Sequence, residues 1–272
     1  RCKTQSIYRK KEGKFKLRIG LFDSGIGGLT VLAQLAKYIP DAEYFYVADT
    51  LNAPFGTKTQ DQILTISLKV ISFLQKLGVD CIVTACNTAD SSVRSSAIEL
   101  QIPYFGILDF EIPEDMKKAA VIATKFTAES GVYSKILRSK GVQEVIEIPC
   151  QSFVKIVEED LINSPIADEE IENCMSTIRN TDISNLILGC THFPFLADRI
   201  KAHFPKLTIF DPAQSVAKKV SQKFVKTSDN QGKVNFYVTK DPSGFLAKIV
   251  KYQSLFSLPF TVQQIDLEDS QK

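Results

Sequence analysis

Residues Leu17–Thr30 read LRIGLFDSGIGGLT, and they join an apolar run to an Asp-Ser pair and a cluster of glycines. A helical pattern, Val31–Tyr38, follows at once. This order predicts a buried strand, a tight loop and a helix. Glycines let a backbone approach a ligand closely, and the free N–H groups at a helix start favour an anion. We therefore expect this loop to be an anion-binding site at the end of a strand.

Two nucleotide-binding loops are alternatives for this segment. A P-loop requires Gly-Lys followed by Ser or Thr, whereas Gly28 is followed by Leu29 and Thr30, so that reading fails. A dinucleotide fingerprint requires a third glycine after Gly25 and Gly27, at the position of Thr30, so the match is only partial.

The order of strand, loop and helix recurs in the next part of the chain. One unit has an apolar strand at Ala42–Ala48, a loop with Pro54, Phe55 and Gly56, and a helical pattern at Thr59–Leu77. The next has a strand at Asp80–Thr84, a turn around Cys86 and a helical pattern at Ser91–Leu100. Backbone dipoles at a helix start stabilise a thiolate, so Cys86 is a candidate base. The alternative is a thiol that only fills space, which we expect for Cys81.

A second copy of this cysteine unit lies further along. The strand Asn185–Leu188 is followed by the turn Gly189–Pro194, GCTHFP, and by a helical pattern at Phe195–His203. Residues 119–133 likewise echo residues 18–32, and the spacing from Ser24 to Cys86 (62 residues) is close to that from Thr124 to Cys190 (66 residues). The repeat predicts two pseudo-symmetric, doubly wound α/β domains with the active site in the cleft between them.

We expect the first domain to comprise residues 17–110 plus 215–262, and the second to comprise residues 111–214. The helical stretch Ser215–Lys226 and the β-rich stretch Lys233–Thr239 would return to the first domain. Residues 1–16 form a basic N-terminal tail, which we interpret as a solvated segment rather than a nucleic-acid or lipid-binding arm.

Composition places the chain among globular proteins. Of its 272 residues 44% are hydrophobic and 24% are charged, which excludes disordered and fibrous classes. It contains neither a long uncharged apolar run nor the apolar core of a signal peptide, so we expect a cytoplasmic protein without a membrane span. The six cysteines lack close paired spacing, and we expect them to remain thiols in a reducing compartment.

Two thiols that face each other across a cleft suit removal of a proton from one face of a carbon and its return to the other face, which is racemisation or epimerisation. A redox disulfide would favour a Cys-x-x-Cys pair, which is absent. Zinc could use Cys86, Cys190 and His192, but His203 is the only other histidine and no carboxylate motif completes the shell. The turns also lack a lysine for pyridoxal chemistry. We therefore expect neither a metal nor an organic cofactor.

Four motifs in order resemble the bacterial glutamate racemases of the aspartate/glutamate racemase superfamily. They are Asp23-Ser24-Gly25 with Gly27–Thr30, then Pro54-Phe55-Gly56, then Ala85–Ala89, then Gly189–Pro194. The match runs from about Leu17 to Pro212. The resemblance implies a cofactor-independent isomerase that makes D-glutamate for peptidoglycan synthesis, and hence for cell wall biogenesis and cell shape. It also implies a cytoplasmic homodimer with glutamate as its small-molecule partner and no nucleic acid.

Carried over position by position, the resemblance makes Cys86 and Cys190 the catalytic thiols, supported by Asp23 and His192, with Glu158 as a further assisting acid. It implies substrate contacts from Asp23, Ser24, Pro54, Phe55, Gly56, Asn87, Thr88, Thr124, Thr191 and His192. Hydroxyls, amides and helix-start N–H groups suit the two substrate carboxylates, and Asp23 could hold the ammonium group. For Glu158, which begins an acidic run, a solvated helix face is an equal explanation.

The chain departs from the family pattern at three positions. Phe55 stands where tyrosine is usual, Asp90 where a small or hydroxyl residue is usual, and Asp109 where glutamate is usual. The alternatives to a glutamate racemase are an aspartate racemase or another two-thiol isomerase, and a non-catalytic racemase-like binding protein. The presence of both thiols together with Asp23 and His192 argues against the binding protein.

Overall fold

The computed structural model describes residues 16–96, 98–224 and 231–267, and within them the strands form two parallel sheets. The first has the order β10-β9-β2-β1-β3-β4, with β1 at Arg18–Asp23, β2 at Glu43–Ala48, β3 at Cys81–Thr84, β4 at Tyr104–Gly106, β9 at Lys233–Val238 and β10 at Phe260–Gln264. The second has the order β6-β5-β7-β8, with β5 at Lys118–Ala123, β6 at Glu144–Pro149, β7 at Asn185–Gly189 and β8 at Thr208–Phe210.

Helices alternate with the strands. Those around the first sheet are α1 (Leu29–Tyr38), α2 (Gln60–Lys76), α3 (Asn87–Ser95), α9 (Pro212–Lys223) and α10 (Pro242–Tyr252). Those around the second are α4 (Lys125–Ser130), α5 (Val132–Ser139), α6 (Ser152–Glu158), α7 (Pro165–Met175) and α8 (Ala197–His203). Short 3₁₀ turns occur at Phe55–Thr57, Ser176–Ile178, Phe193–Leu196 and Gln253–Leu255.

The central strands β1, β2, β3, β5 and β7 are largely buried because most of their side chains are small or apolar, as parallel sheets covered by helices require. Strand β1 lies between β2 and β3, with Asp23 opposite Ala48 and Phe22 opposite Thr84. This register brings the carboxyl ends of neighbouring strands to one edge of the sheet. The loops that follow β1, β2 and β3 therefore meet there, which is where open α/β sheets bind their ligands.

The C-terminal part of the chain returns to the first sheet. Strand β9 pairs with β2, and helix α9 packs against α1. We therefore propose two domains with the limits expected from the sequence, 17–110 plus 215–262 and 111–214. Helix α9 begins at Pro212, before the expected Ser215, because Asp211 accepts a hydrogen bond from the Ala213 N–H and caps the helix. The predicted basic tail, apart from residue 16, and the predicted end of α9 after residue 224 lie outside the described residues.

The expectation that all cysteines remain thiols is wrong for one pair. Cys150, just before α6, forms a disulfide with Cys174 in α7, with their Cα atoms 5.8 Å apart. The two cysteines are 24 residues apart in sequence, and only the packing of α6 against α7 brings them together. Cys81, Cys86 and Cys190 are buried thiols. Among the described helices, none combines the length and apolar character needed to cross a bilayer.

Candidate active site

A small cavity lies between the two sheets and is lined by both halves of the chain. Its volume is about 20 Å³, which is room for about one water molecule. Its lining residues are Ser24, Pro54, Phe55, Gly56, Cys86, Asn87, Thr88, Thr124, Gln151, Val154, Cys190, Thr191 and His192. Of the residues singled out from the sequence, the structure places all but Asp23 and Glu158 in this lining.

The two candidate thiols reach the cavity from equivalent positions. Cys86 follows β3 and stands at the N-cap of α3, and Cys190 follows β7. Cys86 is only 7% exposed and Cys190 only 6% exposed. Burial, aided by the charge of Asp23, raises the pKa of the Cys86 thiol far above its usual range, although the N–H of Ala89 and the Ser24 hydroxyl oppose this. The expected lowering by the helix start is therefore wrong for Cys86, because desolvation outweighs the helix dipole.

Asp23 lies behind the cavity. Its carboxylate is fully buried and accepts hydrogen bonds from the Gly25 N–H at 3.0 Å and from the Thr191 hydroxyl at 3.1 Å. Burial raises the pKa of Asp23, although the charge of His192 and these hydrogen bonds oppose the rise. Asp23 thus acts on the cavity through Thr191 and through its charge near Cys86.

The glycine loop between β1 and α1 binds anions that belong to the chain itself. The Gly25 N–H donates to Asp23, and the Ile26 N–H donates to Glu158 Oε1 at 3.3 Å. A Cβ on Gly27 would lie 2.3 Å from Thr191 Oγ1 and 2.5 Å from His192 Nδ1, so only glycine permits this approach. The glycines of the loop therefore let it contact the second half of the protein, and the N–H groups of Gly25 and Ile26 already have protein carboxylates as partners.

His192 connects the Cys190 thiol to Glu158. The Cys190 Sγ lies 3.8 Å from His192 Nδ1, and Glu158 Oε1 lies 2.8 Å from His192 Nε2. Burial opposes the imidazolium, but its hydrogen bonds to Cys190 and Glu158 outweigh burial and raise the pKa of His192 to about 10. Burial likewise opposes the Glu158 carboxylate, but His192 and Lys248 outweigh it and lower the pKa of Glu158 to about 2. At neutral pH the dyad is an imidazolium paired with a carboxylate, and the solvated-face explanation of Glu158 is wrong.

Polar side chains from the two halves meet across the cavity. Thr88 Oγ1 is 3.0 Å from Thr124 Oγ1 and 3.3 Å from Thr127 Oγ1. The Tyr133 hydroxyl donates to Asn87 Oδ1 at 2.6 Å, and Tyr133 is itself fully buried. These are neutral groups that could exchange their mutual hydrogen bonds for bonds to a carboxylate.

The loop Pro54–Gly56 closes one wall. Phe55 is buried, and its ring meets the edge of Phe22 with a centroid distance of 6.0 Å. A Cβ on Gly56 would lie 2.8 Å from Thr124 Cβ and 2.5 Å from Gln151 Oε1, so this glycine lets the loop touch the second half. The ring of Phe55 packs into the first half, and the position supplies no hydroxyl to the cavity.

The two acidic departures from the family pattern belong to one buried network. Asp90 accepts hydrogen bonds from the Tyr104 hydroxyl at 2.9 Å, the Leu108 N–H at 2.8 Å and Arg94 Nε at 3.1 Å. Arg94 also pairs with Asp109 at 2.6 Å. The network ties both ends of α3, through Asp90 and Arg94, to the segment after β4. It lies outside the cavity lining, so Asp90 and Asp109 stabilise structure around the site.

Sequence reasoning missed Gln151 and Val154 in the lining and Lys248 beside Glu158. Gln151 and Val154 lie seven and four residues before Glu158, which the resemblance had singled out, so that signal was available. Lys248 comes from α10, 90 residues after Glu158, and no local pattern marks it. Within residues 16–96, 98–224 and 231–267, no group of three or more His, Cys, Asp and Glu side chains is placed to hold a metal ion.

Known proteins share both this sequence pattern and this fold. Residues 29–220 match the family model described as Asp/Glu/Hydantoin racemase. A glutamate racemase of Carboxydothermus hydrogenoformans is 35% identical over 267 residues, which cover 94% of this chain and 98% of that protein.

Solved structures agree. Glutamate racemase RacE1 of Bacillus anthracis superposes with a TM-score of 0.83 at 26% identity, covering 94% of this chain and 99% of that one. The Francisella tularensis glutamate racemase in complex with D-glutamate gives 0.82 at 26% identity, covering 93% and 99%. An aspartate racemase of Picrophilus torridus gives 0.57 at 18% identity over 77% of this chain and 94% of that one, which shows a shared fold alone. With two cysteine turns lining one cleft and a match over most of its length, the chain belongs to the Asp/Glu/Hydantoin racemase family.

Proposed function

We propose that this protein is a glutamate racemase that interconverts L-glutamate and D-glutamate by proton transfer between two cysteines, without a cofactor. The observation that carries the proposal is the shared cavity: Cys86 and Cys190 line it from the two halves of the chain. The curated relatives and the solved structures bearing the name glutamate racemase support the choice of substrate.

The reaction needs one thiolate and one thiol. The thiolate removes the proton from the α-carbon of glutamate, which breaks the C–H bond and leaves the electron pair on carbon. The opposite thiol then donates its proton to the other face, so the enzyme ends with thiol and thiolate exchanged. Burial and the charge of Asp23 raise the pKa of Cys86 and so favour its thiol form, which can donate the proton. His192 Nδ1 lies 3.8 Å from the Sγ of the opposite thiol, Cys190.

The neutral donors of the lining suit the two substrate carboxylates. Hydroxyl and amide groups surround the cavity, and they belong to Ser24, Asn87, Thr88, Thr124 and Thr191. The closed cavity holds about one water molecule, so glutamate binding requires the halves to separate. The bonds of Thr88 to Thr124 and of Asn87 to Tyr133 would then be replaced by bonds to substrate.

The test is incubation of the purified protein with L-glutamate in heavy water, followed by polarimetry and by mass spectrometry of each enantiomer. We expect an equilibrium constant near one, since enantiomers have equal free energy, with deuterium first in the product and not in recovered substrate. Label entering recovered substrate as fast as product would indicate one base that serves both faces. Absence of any racemisation would contradict the proposal.

Two further arms distinguish the alternatives. L-aspartate should be a poor substrate; faster turnover of aspartate than of glutamate would favour an aspartate racemase and make Phe55 the first position to re-examine. Activity should survive dialysis against a strong chelator and treatment with hydroxylamine, which remove metal and pyridoxal respectively. Loss of activity restored only by zinc would contradict the cofactor-independent mechanism.

We also propose that the D-glutamate serves peptidoglycan synthesis in the cytoplasm and that the enzyme works as a homodimer. The resemblance to bacterial glutamate racemases supports these assignments. Expression in a bacterium that requires D-glutamate for growth should remove that requirement, and light scattering should give twice the 30.3 kDa chain mass. Continued dependence on D-glutamate, or a monomer mass at working concentration, would contradict the respective assignment.

A further inference from the structure

Lys248 reaches the catalytic dyad from a helix outside the sequence motifs. It lies in α10 of the C-terminal return, and its Nζ is 2.5 Å from Glu158 Oε2. Glu158 ends α6, in the other half of the chain. The ion pair therefore crosses between the halves, on the side of an open pocket of about 670 Å³ that adjoins the cavity and shares His192 with it.

The two oxygens of Glu158 have separate partners. Oε1 accepts from the Ile26 N–H and contacts His192 Nε2, whereas Oε2 accepts from Lys248. The Glu158 side chain is 29% exposed and that of His192 is 4% exposed, so the carboxylate lies at the boundary between the open pocket and the buried imidazole. A carboxylate at such a boundary can rotate toward water unless its outer oxygen is held. Lys248 holds that oxygen.

We propose that Lys248 is a positioning residue for the racemisation: it holds the Glu158 carboxylate against His192 and so keeps the imidazole ring in place beside Cys190. The catalytic part of this inference rests on the proposed function, but the effect on His192 does not. Lys248 touches neither thiol, and it acts through Glu158.

Other charged or titratable groups surround this dyad, and the test must separate Lys248 from them. They are Asp23 and Tyr46 from the first sheet, Cys190 after β7, Lys155 in α6, Lys240 and Asp241 before α10, and Tyr252 at the end of α10. Within the described part of the chain, however, only Ile26, His192 and Lys248 donate hydrogen bonds to the Glu158 carboxylate. Lys248 is therefore the lysine in direct contact with the Glu158 carboxylate.

The first measurement is the pKa of His192 by NMR in the full-length protein. The chain has two histidines, and His192→Asn assigns their signals. In Lys248→Met we expect the pKa of His192 to fall, because burial opposes the imidazolium and a less firmly held Glu158 supports it less. In Lys248→Arg the pKa of His192 should stay close to its wild-type value, because arginine can also hold the Glu158 carboxylate. Lys251→Met is the matched control, since Lys251 lies one turn away on α10 and pairs with Asp160 instead.

The second measurement is kinetic. Lys248→Met should lower kcat/KM about tenfold, because a misplaced support weakens the orientation of the reacting groups. The loss in kcat/KM should be the same in both directions, since the equilibrium constant between enantiomers is fixed at one. It should fall mainly on kcat, with KM changed less than about twofold, and the alkaline limb of the pH profile should move to lower pH. In a Glu158→Gln background Lys248→Met should add no further loss, since it acts through that carboxylate.

A His192 pKa that stays the same or rises in Lys248→Met would overturn the inference. Lys248 would then form only an exposed ion pair with Glu158, or act on His192 only as a repelling positive charge. An unchanged kcat/KM, or an additive loss with Glu158→Gln, would also overturn it. If the wild-type protein does not racemise glutamate, the proposed function fails, whereas the NMR titration still decides the role of Lys248.

Discussion

At the scale of single residues, the two cavity thiols differ in charge environment although they occupy equivalent turns. Cys86 lies near the buried Asp23, which opposes a thiolate, and Cys190 lies 3.8 Å from the imidazole of His192. The two thiols therefore have different charged neighbours. The residues that create the difference, Asp23 and His192, belong to the same two turns.

Replacement of either thiol should abolish net racemisation. Cys86→Ala and Cys190→Ala should each lower kcat by at least the ~10²–10⁴-fold that a positioned acid or base contributes, as measured by polarimetry in both directions. Cys81→Ala is the matched control, because Cys81 is buried in β3 and does not line the cavity. Near-wild-type racemisation by either cavity variant would end the two-thiol mechanism.

Protein stability should depend on His192 in alkaline solution. The pKa of His192 is raised in the folded protein from 6.5 to about 10, so its stabilising contribution is complete below pH 6.5 and disappears as pH rises through about 10. Urea unfolding of wild type and His192→Asn should therefore show a difference in unfolding free energy that shrinks between pH 6.5 and pH 10. A constant difference over that range would mean that His192 is neutral in the folded state.

At the scale of elements, α6 carries Glu158 at one end and follows the disulfide-bonded Cys150 at the other. The disulfide ties this segment to α7, and Phe153 within α6 packs against Phe193 of the cysteine turn, with ring centroids 5.2 Å apart. The helix is thus attached to its surroundings by a covalent bond, an aromatic contact and the ion pair of its last residue.

Loss of the disulfide should lower stability without loss of chemistry. Closing a loop with a sequence separation of 24 residues stabilises a fold by about 3 kcal/mol in the chain-entropy account. Cys174→Ser should therefore unfold with a free energy about 3 kcal/mol lower than wild type in urea, and the gap should close when both proteins are reduced with dithiothreitol. Its kcat should match wild type. A gap that persists in reductant would assign the effect to packing of Cys174 instead.

At the scale of the whole molecule, the contacts across the cleft hold it closed around the small cavity. Thr191 bonds to Asp23, Thr88 to Thr124, and Lys248 to Glu158, and each pair joins the two halves. Access to the thiols therefore depends on separation of the halves, a motion of the kind that hinged domains make around ligands.

Alkylation should report this opening. Iodoacetamide should modify Cys190 before Cys86, since the nucleophile is the thiolate and burial with Asp23 keeps Cys86 protonated. Glutamate should slow both reactions by covering the thiols. Mass spectrometry of the modified peptides gives the rates, with the fully buried Cys81 as the unreactive control. Equal rates with and without glutamate would place substrate elsewhere.

Local sequence determined much of the fold of this protein and much of its candidate site. The strand-glycine-helix pattern at Leu17–Thr30 and the two cysteine turns predicted parallel α/β architecture and a shared cleft, because parallel strands must end at a common edge. Strand positions agree within one or two residues, since each strand is a short apolar run bounded by polar or small residues. The lining residues other than Gln151 and Val154 followed from the same turns and from the resemblance, because a residue directly after such a strand has few other places to lie.

Only the tertiary structure decided the features that depend on distant segments. The disulfide between Cys150 and Cys174 needs α6 and α7 to pack together, and the contact of Lys248 with Glu158 needs α10 to return to the first sheet. The tertiary structure also decided the pKa of Cys86: the helix start predicts a lowered pKa, but burial raises it. Desolvation and long-range pairing depend on which atoms surround a group, and a local pattern contains no record of those atoms.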